Sequence, residues 1–232
     1  MEARDRYSNT PLDLAAQHGD LSMVEILLEK GALIEAMDAD NKNTLLRLAT
    51  KNGLTSVVEL LLQKGALMEA KDRDDNTSLH LASGNCRFST VELLLQKGAL
   101  MEAQGDYGKT PLHLAARNGH TDTVELLLQK GASIKAKDWL SNTPLHYAAG
   151  NGHTSTVELL LLKGAPVEAK NKYNYAPLYL AAENGHTRTA RLLLQKGAAV
   201  AVKDPWVPDT SLHLAARNGH TSTVELLLET GA

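Results

Sequence analysis

Aromatic residues are scarce in this 232-residue chain, at 4% of the sequence, with one Phe and two Trp. The hydrophobic share of 43% is nevertheless ordinary for a globular protein. A core with so few rings has to be built from Leu, Ala and Val side chains. We therefore expect many short helices packed on one another.

Cysteine and long apolar runs are also nearly missing. Cys86 is the only cysteine, which excludes an intramolecular disulfide framework. No apolar run approaches the ~20 residues of a membrane helix, and the opening MEARDRYSNT lacks the apolar stretch of a signal peptide. We expect an intracellular protein, in the cytoplasm first, with the nucleus or secretion into a host cell as alternatives.

An excess of positive charge is absent as well. The 24 Lys and Arg residues oppose 27 Asp and Glu residues, for a net charge of −3. Nucleic acids and anionic membranes select basic faces, so we expect neither as a partner. The sequence also lacks CxxC, HExxH, a phosphate-binding glycine loop and a nucleophile elbow. We therefore expect no catalysis, no metal and no cofactor.

What the sequence does contain is an internal repeat. The phrase TPLHLAA, or a variant of it, begins at seven positions that lie 33 or 34 residues apart. A second phrase, VELLLQKGA or a variant, follows each of them at a constant offset. The seven starting positions are Thr10, Thr44, Thr77, Thr110, Thr143, Ala176 and Thr210.

Each unit has the pattern of two short helices and a turn. Thr110 suits an N-cap, and Pro111 suits the first helical position, where its missing N–H costs nothing. Asn118-Gly119 suits the left-handed conformation that ends a helix, and a second helix begins near Thr121. The following segment, 132–142, is not helical by pattern and predicts a tight turn.

Helices this short are not stable alone, so each unit must bury its apolar stripe against its neighbours. The period and both phrases resemble the ankyrin repeat over essentially the whole chain. The resemblance implies an all-α solenoid of helix-turn-helix units with projecting β-hairpin loops, forming a single domain over 1–232. The seven units are expected to begin near Asp5, Asp38, Asp72, Gly105, Asp138, Asn171 and Asp204.

Eight of the nine histidines occupy two repeat positions, the H of TPLHLAA and the H of NGH. Equivalent atoms of adjacent repeats lie ~8–10 Å apart, too far to share one zinc ion. We therefore interpret both sets as hydrogen bonds between the turns of adjacent units. The first set is His80, His113, His146 and His213, and the second is His120, His153, His186 and His220.

Six of the nine aromatic residues fall in the turn segments. Tyr and Trp on an exposed tip can supply binding energy, or one hairpin ring can pack on the next hairpin. Both interpretations remain open for Tyr7, Tyr107 and Tyr173, which share one repeat position. Binding is favoured for Trp139, Tyr175 and Trp206, because other repeats carry small or polar residues there.

In ankyrin proteins the hairpin tips and the exposed ends of the first helices form a concave surface for protein partners. The resemblance implies a non-catalytic interaction module of this kind, with a protein partner that the sequence does not identify. Two alternatives remain: the targeting part of a larger enzyme or effector, and an engineered, consensus-like scaffold. The expected partner-binding residues are Tyr107, Arg117, Trp139, Leu140, Tyr173, Tyr175, Glu183, Trp206 and Arg217.

Two irregularities in the repeats lead to further expectations. Cys86 stands where other repeats have the turn glycine, so its backbone is strained if φ there stays positive. The last helix keeps the apolar pattern of the internal copies, with no visible polar cap. We expect either further repeats at the carboxy-terminal end or end-to-end self-association there, with Leu226 among the exposed apolar side chains.

Overall fold

The computed structural model describes residues 3–6, 9–34, 44–200 and 210–231. They contain fourteen α-helices, arranged as seven pairs in the predicted register. No described residue lies in a β-strand, and no described helix is long and apolar enough to cross a membrane. The helices are α1 Pro11–His18, α2 Leu21–Glu29, α3 Leu45–Asn52, α4 Thr55–Gln63, α5 Ser78–Gly84, α6 Phe88–Gln96, α7 Pro111–Arg117, α8 Thr121–Gln129, α9 Pro144–Gly150, α10 Thr154–Leu162, α11 Pro177–Glu183, α12 Thr187–Gln195, α13 Ser211–Arg217 and α14 Thr221–Glu229.

The first helix of each unit begins and ends as its sequence predicts. Thr110 has extended φ and ψ of −91° and 165°, and Pro111 opens α7. The glycine after the helix takes the left-handed conformation, as at Gly119 with φ of 73°. The N-cap threonines and Asn-Gly pairs therefore set the helix length, as predicted.

The chain divides into two compact units, Met1–Asp106 and Tyr107–Ala232. In the first, α1 packs on α3 and α3 on α5; in the second, α7 packs on α9, α9 on α11 and α11 on α13. Four of the predicted repeat starts open loops that precede a first helix, where each N–H donates to the carbonyl oxygen four residues further on: Asp5, Asp72, Asp138 and Asn171. Asp38 and Asp204 lie outside the described residues, and the prediction of one continuous domain stays a prediction.

Leucine and alanine fill the interior, as the scarcity of aromatic residues predicted. The first helices of the second unit bury Leu112, Leu145 and Leu178 almost completely. The second helices bury Leu127 and Leu160 in the same way. Each such leucine contributes ~1.5–3 kcal/mol on leaving water, so every repeat stabilises its neighbours through the same few positions.

Threonine hydroxyls join the second helices of adjacent repeats. Thr121 Oγ1 lies 2.8 Å from Thr156 Oγ1, and Thr154 Oγ1 lies 2.9 Å from Thr189 Oγ1. Thr187 and Thr223 form the same pair at 2.7 Å. Because each bond links residues 35 or 36 positions apart, the row fixes how one repeat seats on the next.

The NGH histidines link repeats in a second row, as predicted. His153 Nε2 lies 2.8 Å from the Arg117 carbonyl oxygen, and His186 Nε2 lies 3.1 Å from that of Gly150. In repeat three, Arg87 occupies the histidine position and donates its Nε–H to the Lys51 carbonyl oxygen at 3.0 Å. A guanidinium therefore replaces the imidazole with the same bond.

The TPLHLAA histidines bridge repeats from the other end of the first helix. The Thr143 N–H donates to His146 Nδ1 at 3.1 Å, so Nε2 carries the proton and donates to the Tyr175 carbonyl oxygen at 3.0 Å. His113 makes the same pair of bonds to Thr110 and to Asn142. Burial lowers the pKa of His146 to about 4 and also lowers the pKa of His113.

Leu226 is not exposed, which corrects the expectation for the last helix. Its side chain is 2% exposed and lies within the interior. The exposed leucine of α14 is Leu228, at 56%. The expectation was wrong because the apolar stripe of these helices also includes the first leucine of VELLL, as the burial of Leu126 in α8 shows.

Cys86 has a φ of 58°, so the condition under which its backbone is strained is met. A left-handed backbone costs a residue with a Cβ about 1–2 kcal/mol, and glycine adopts it without that strain. Repeat three therefore carries a local strain where repeats four to seven have glycine.

Replacing Cys86 by Gly should raise the free energy of unfolding by about 0.5–1 kcal/mol, because the relieved strain outweighs the extra entropy of an unfolded glycine. Cys86→Ser is the matched control, since it keeps a Cβ at the same φ. Urea denaturation followed by circular dichroism compares the three proteins. Equal midpoints for Cys86→Gly and Cys86→Ser would contradict the strain.

Lowering the pH should destabilise the protein between pH 6.5 and pH 4. An unfolded histidine takes up a proton near pH 6.5, whereas folded His146 stays neutral down to about pH 4. The unfolded state therefore binds more protons in this window, and stability falls by up to ~1.4 kcal/mol per pH unit for this residue.

His146→Gln isolates that contribution, because a Gln at the third helical position can still accept from the N-cap N–H and does not titrate. The free energy of unfolding of this variant should depend less steeply on pH than that of the parent protein. The difference in slope corresponds to at most one proton fewer taken up on unfolding. Denaturation curves from pH 7 to pH 4 measure both slopes. Parallel slopes would show that His146 is not kept neutral by the fold.

Candidate interaction groove

Asp138 organises the hairpin loop of repeat five. Its carboxylate is buried and accepts backbone N–H bonds from Leu140 at 2.9 Å and Asn142 at 2.8 Å. The Tyr147 hydroxyl donates to it at 2.6 Å, and burial together with this bond raises the pKa of Tyr147. The loop closes where the Asp138 N–H donates to the Asn142 carbonyl oxygen at 3.1 Å. The tip is therefore tied both to itself and to helix α9.

Asn171 fixes the loop of repeat six in the same way. Its Oδ1 accepts the N–H groups of Tyr173 at 2.9 Å and Tyr175 at 3.0 Å. Its Nδ2 donates to Asn142 Oδ1 of the preceding repeat at 2.8 Å. Both tips are thus fixed by a short polar side chain at their first position, a role for which Asp and Asn are suited.

Backbone hydrogen bonds connect neighbouring tips. The Trp139 N–H donates to the Tyr107 carbonyl oxygen at 3.0 Å, and the Lys172 N–H donates to the Leu140 carbonyl oxygen at 2.7 Å. The rings of Tyr107 and Trp139 meet edge to face, with centroids 6.1 Å apart, while their side chains are 59% and 64% exposed. The two rings therefore pack on each other and also present surface to solvent, so Tyr107, for which the sequence left both interpretations open, has features of both.

Three tyrosines form a cluster in repeat six. The rings of Tyr175 and Tyr179 stack with centroids 4.0 Å apart, and Tyr173 lies 5.8 Å from Tyr175. Tyr179 occupies the position that is His146 in repeat five. Tyr173 is exposed and Tyr175 is half-buried, so the cluster has a packed base and an accessible ring.

A groove with a volume of about 580 Å³ opens among these elements within the second unit. Lys109 and Arg117 line it from repeat four, and Tyr173 and Tyr175 line it from repeat six. Repeat five supplies the floor between them. The floor and the remaining walls are made by Asn142, His146, Tyr147, Gly150, Asn151, Asn171, Leu180 and Asn184.

The structure brings together three of the nine expected partner-binding residues, Arg117, Tyr173 and Tyr175, as groove-lining side chains. Tyr107 and Trp139 lie together on the tips outside the lining. The other four do not join the groove: Leu140 is half-buried and bonded to its neighbours, Glu183 and Arg217 end α11 and α13, and Trp206 lies outside the described residues.

Sequence reasoning missed Lys109 and Tyr147 as lining residues. Lys109 is buried, with Nζ 4.8 Å from the centre of the Tyr107 ring. It was missed because a lysine in a turn is usually exposed to solvent. Tyr147 replaces the leucine of TPLHLAA, and that departure from the repeat was the available signal. Among the residues with assigned structure, no group of three or more His, Cys, Asp or Glu could hold a metal ion.

Comparisons with known proteins agree with the repeat geometry. The family profile described as ankyrin repeats in three copies matches residues 12–104, 46–138, 138–204 and 170–232. The crystal structure of the human ASB11 ankyrin repeat domain matches with a TM-score of 0.85 and 26% sequence identity, over 97% of this chain and 99% of that one. A search of curated proteins finds no significant match. The chain belongs to the ankyrin repeat family.

Proposed function

We propose that this chain is a non-catalytic module that binds a protein partner through the groove and the hairpin tips of repeats four to six. Ankyrin repeats are generally protein-interaction modules, and the fold is typically non-catalytic. The observation that carries the proposal is the meeting of two independent sequence signals. Arg117 was expected from the helix ends and Tyr173 and Tyr175 from the tips, and all three line one groove.

Rigidity of the tips favours binding. Asp138 and Asn171 hold their loops by hydrogen bonds to backbone N–H groups, so the exposed rings need little further ordering when a partner arrives. Binding energy is then not spent on fixing the loop. Tyr and Trp rings on such a support are the residue types that dominate interface energetics.

The titratable groups at the groove have structural roles. His146 caps a helix and bridges to Tyr175, while Asp138 accepts bonds from Tyr147 and the loop backbone. An acid, base or nucleophile would need its reacting atom directed at a substrate. The commitment of these groups to the fold supports binding over catalysis.

Replacing Tyr173 by Ala should weaken partner binding by ~2 kcal/mol, about 30-fold in Kd, because an exposed ring on a fixed support is lost. Its N–H still bonds to Asn171, so the tip keeps its shape. Affinity purification from cell extract with the parent protein and the variant, followed by calorimetry on a recovered protein, measures the change.

Leu162→Ala is the matched control. Leu162 is 78% exposed and apolar but does not line the groove, and its removal should leave the recovered proteins unchanged. Identical recovery and affinity with Tyr173→Ala would overturn the groove as the partner surface.

A further inference from the structure

Charge at the groove has one sign. Lys109 and Arg117 are among the lining residues, and no Asp or Glu of the described chain is. The chain as a whole carries a net charge of −3. The lining of the groove is therefore positively charged, whereas the protein as a whole carries a net negative charge.

Two acidic residues of the neighbouring loops, Asp138 and Glu168, are engaged within the protein. Asp138 is 5% exposed, and its oxygens accept hydrogen bonds from the Tyr147 hydroxyl and from the loop backbone. Glu168, on the following loop, lies 3.8 Å from Lys170 Nζ and accepts the Ala199 N–H at 2.9 Å. Neither group competes with an incoming anion at the groove surface, although the Asp138 charge offsets part of the positive field.

Arg117 and the exposed Tyr173 ring belong to the two outer repeats of the groove. Arg117 ends α7 in repeat four, and Tyr173 stands on the loop of repeat six. Adjacent repeats are separated by one helix-packing distance, so two repeats span ~16–20 Å. An extended chain advances ~3.3 Å per residue and covers that span in five or six residues.

We propose that the groove selects an extended acidic peptide segment, with a carboxylate at Arg117 and a bulky apolar side chain five or six residues away at Tyr173 and Tyr175. This proposal rests on the proposed function and names the chemistry of the partner. Arg117 supplies an accessible guanidinium, whose planar donors match a carboxylate. The tyrosine cluster supplies the apolar contact.

A library of random twelve-residue peptides displayed on phage, selected on the full chain, tests the proposal. Selected sequences should be enriched in Asp or Glu at one position and in large apolar residues five or six positions away. For a synthetic peptide from the selection, exchange of its Glu for Gln should weaken binding to the parent protein about tenfold. Raising the salt concentration should weaken the acidic peptide more than its Gln version.

Arg117→Gln should reduce the affinity for the acidic peptide about tenfold and abolish the difference between the Glu and Gln peptides. Arg188→Gln is the matched control, because it removes an equal charge from an exposed position on α12 that does not line the groove. It should leave both affinities unchanged. Circular dichroism checks that all variants keep their helices.

The outcomes separate this proposal from the proposed function. Some peptides could lose affinity for Tyr173→Ala and yet show no enrichment in Asp or Glu, or bind Arg117→Gln as tightly as the parent protein. Either result would overturn the acidic preference alone. Peptides that bind Tyr173→Ala as tightly as the parent protein, or the absence of any peptide ligand, count against the groove itself. Tighter binding of an oligouridylate, or self-association abolished by Arg117→Gln, would assign the groove to nucleic acid or to a second copy and overturn the proposal.

Discussion

The structure depends on one constraint: none of the helices in the described residues is long enough to be stable alone. Each described helix has seven to nine residues, below the ~12–15 residues at which an isolated helix becomes marginal in water. Every helix must therefore bury leucines such as Leu112 and Leu145 against a neighbouring repeat. Cooperation between repeats follows from helix length, and the polar rows only decide how the repeats are seated.

Those polar rows show how much variation one scaffold position accepts. The third helical position holds Asp13 in repeat one, Arg47 in repeat two, His146 in repeat five and Tyr179 in repeat six, and all four are buried. The Asp13 carboxylate accepts the N–H of its N-cap residue, Thr10, at 2.8 Å. The cap bond is kept where the side chain offers an acceptor atom, as the Asp13 carboxylate oxygen and the His146 ring nitrogen do.

Period, caps and turn residues made the helices predictable, because these signals act within a few residues. The Thr-Pro start and Asn-Gly end of α7 needed no information from elsewhere in the chain. The positive φ at Cys86 was predictable because the glycines of other repeats revealed the backbone requirement. The burial of Leu226 was not, since it depends on how wide a stripe the neighbouring helix covers.

The groove was predictable only in part for the same reason. Repeat register placed Arg117 and Tyr173 on suitable surfaces, but their convergence needs the distances between three repeats. Lys109 was missed because its burial depends on the Tyr107 ring above it. The Thr121–Thr156 bond was likewise invisible, since nothing in a Thr-x-Thr pattern says that the hydroxyl reaches the next repeat.

The hydrogen bonds between tips have a consequence for how this protein can diversify. Trp139 and Lys172 are joined to the preceding tips through backbone N–H groups, and the acceptors are backbone carbonyls. The joints therefore do not depend on which side chains the tips carry. Side chains on the tips can therefore be exchanged, and the binding specificity changed, without altering the spacing between the tips. Proline is excluded from positions 139 and 172, because it lacks the N–H donor.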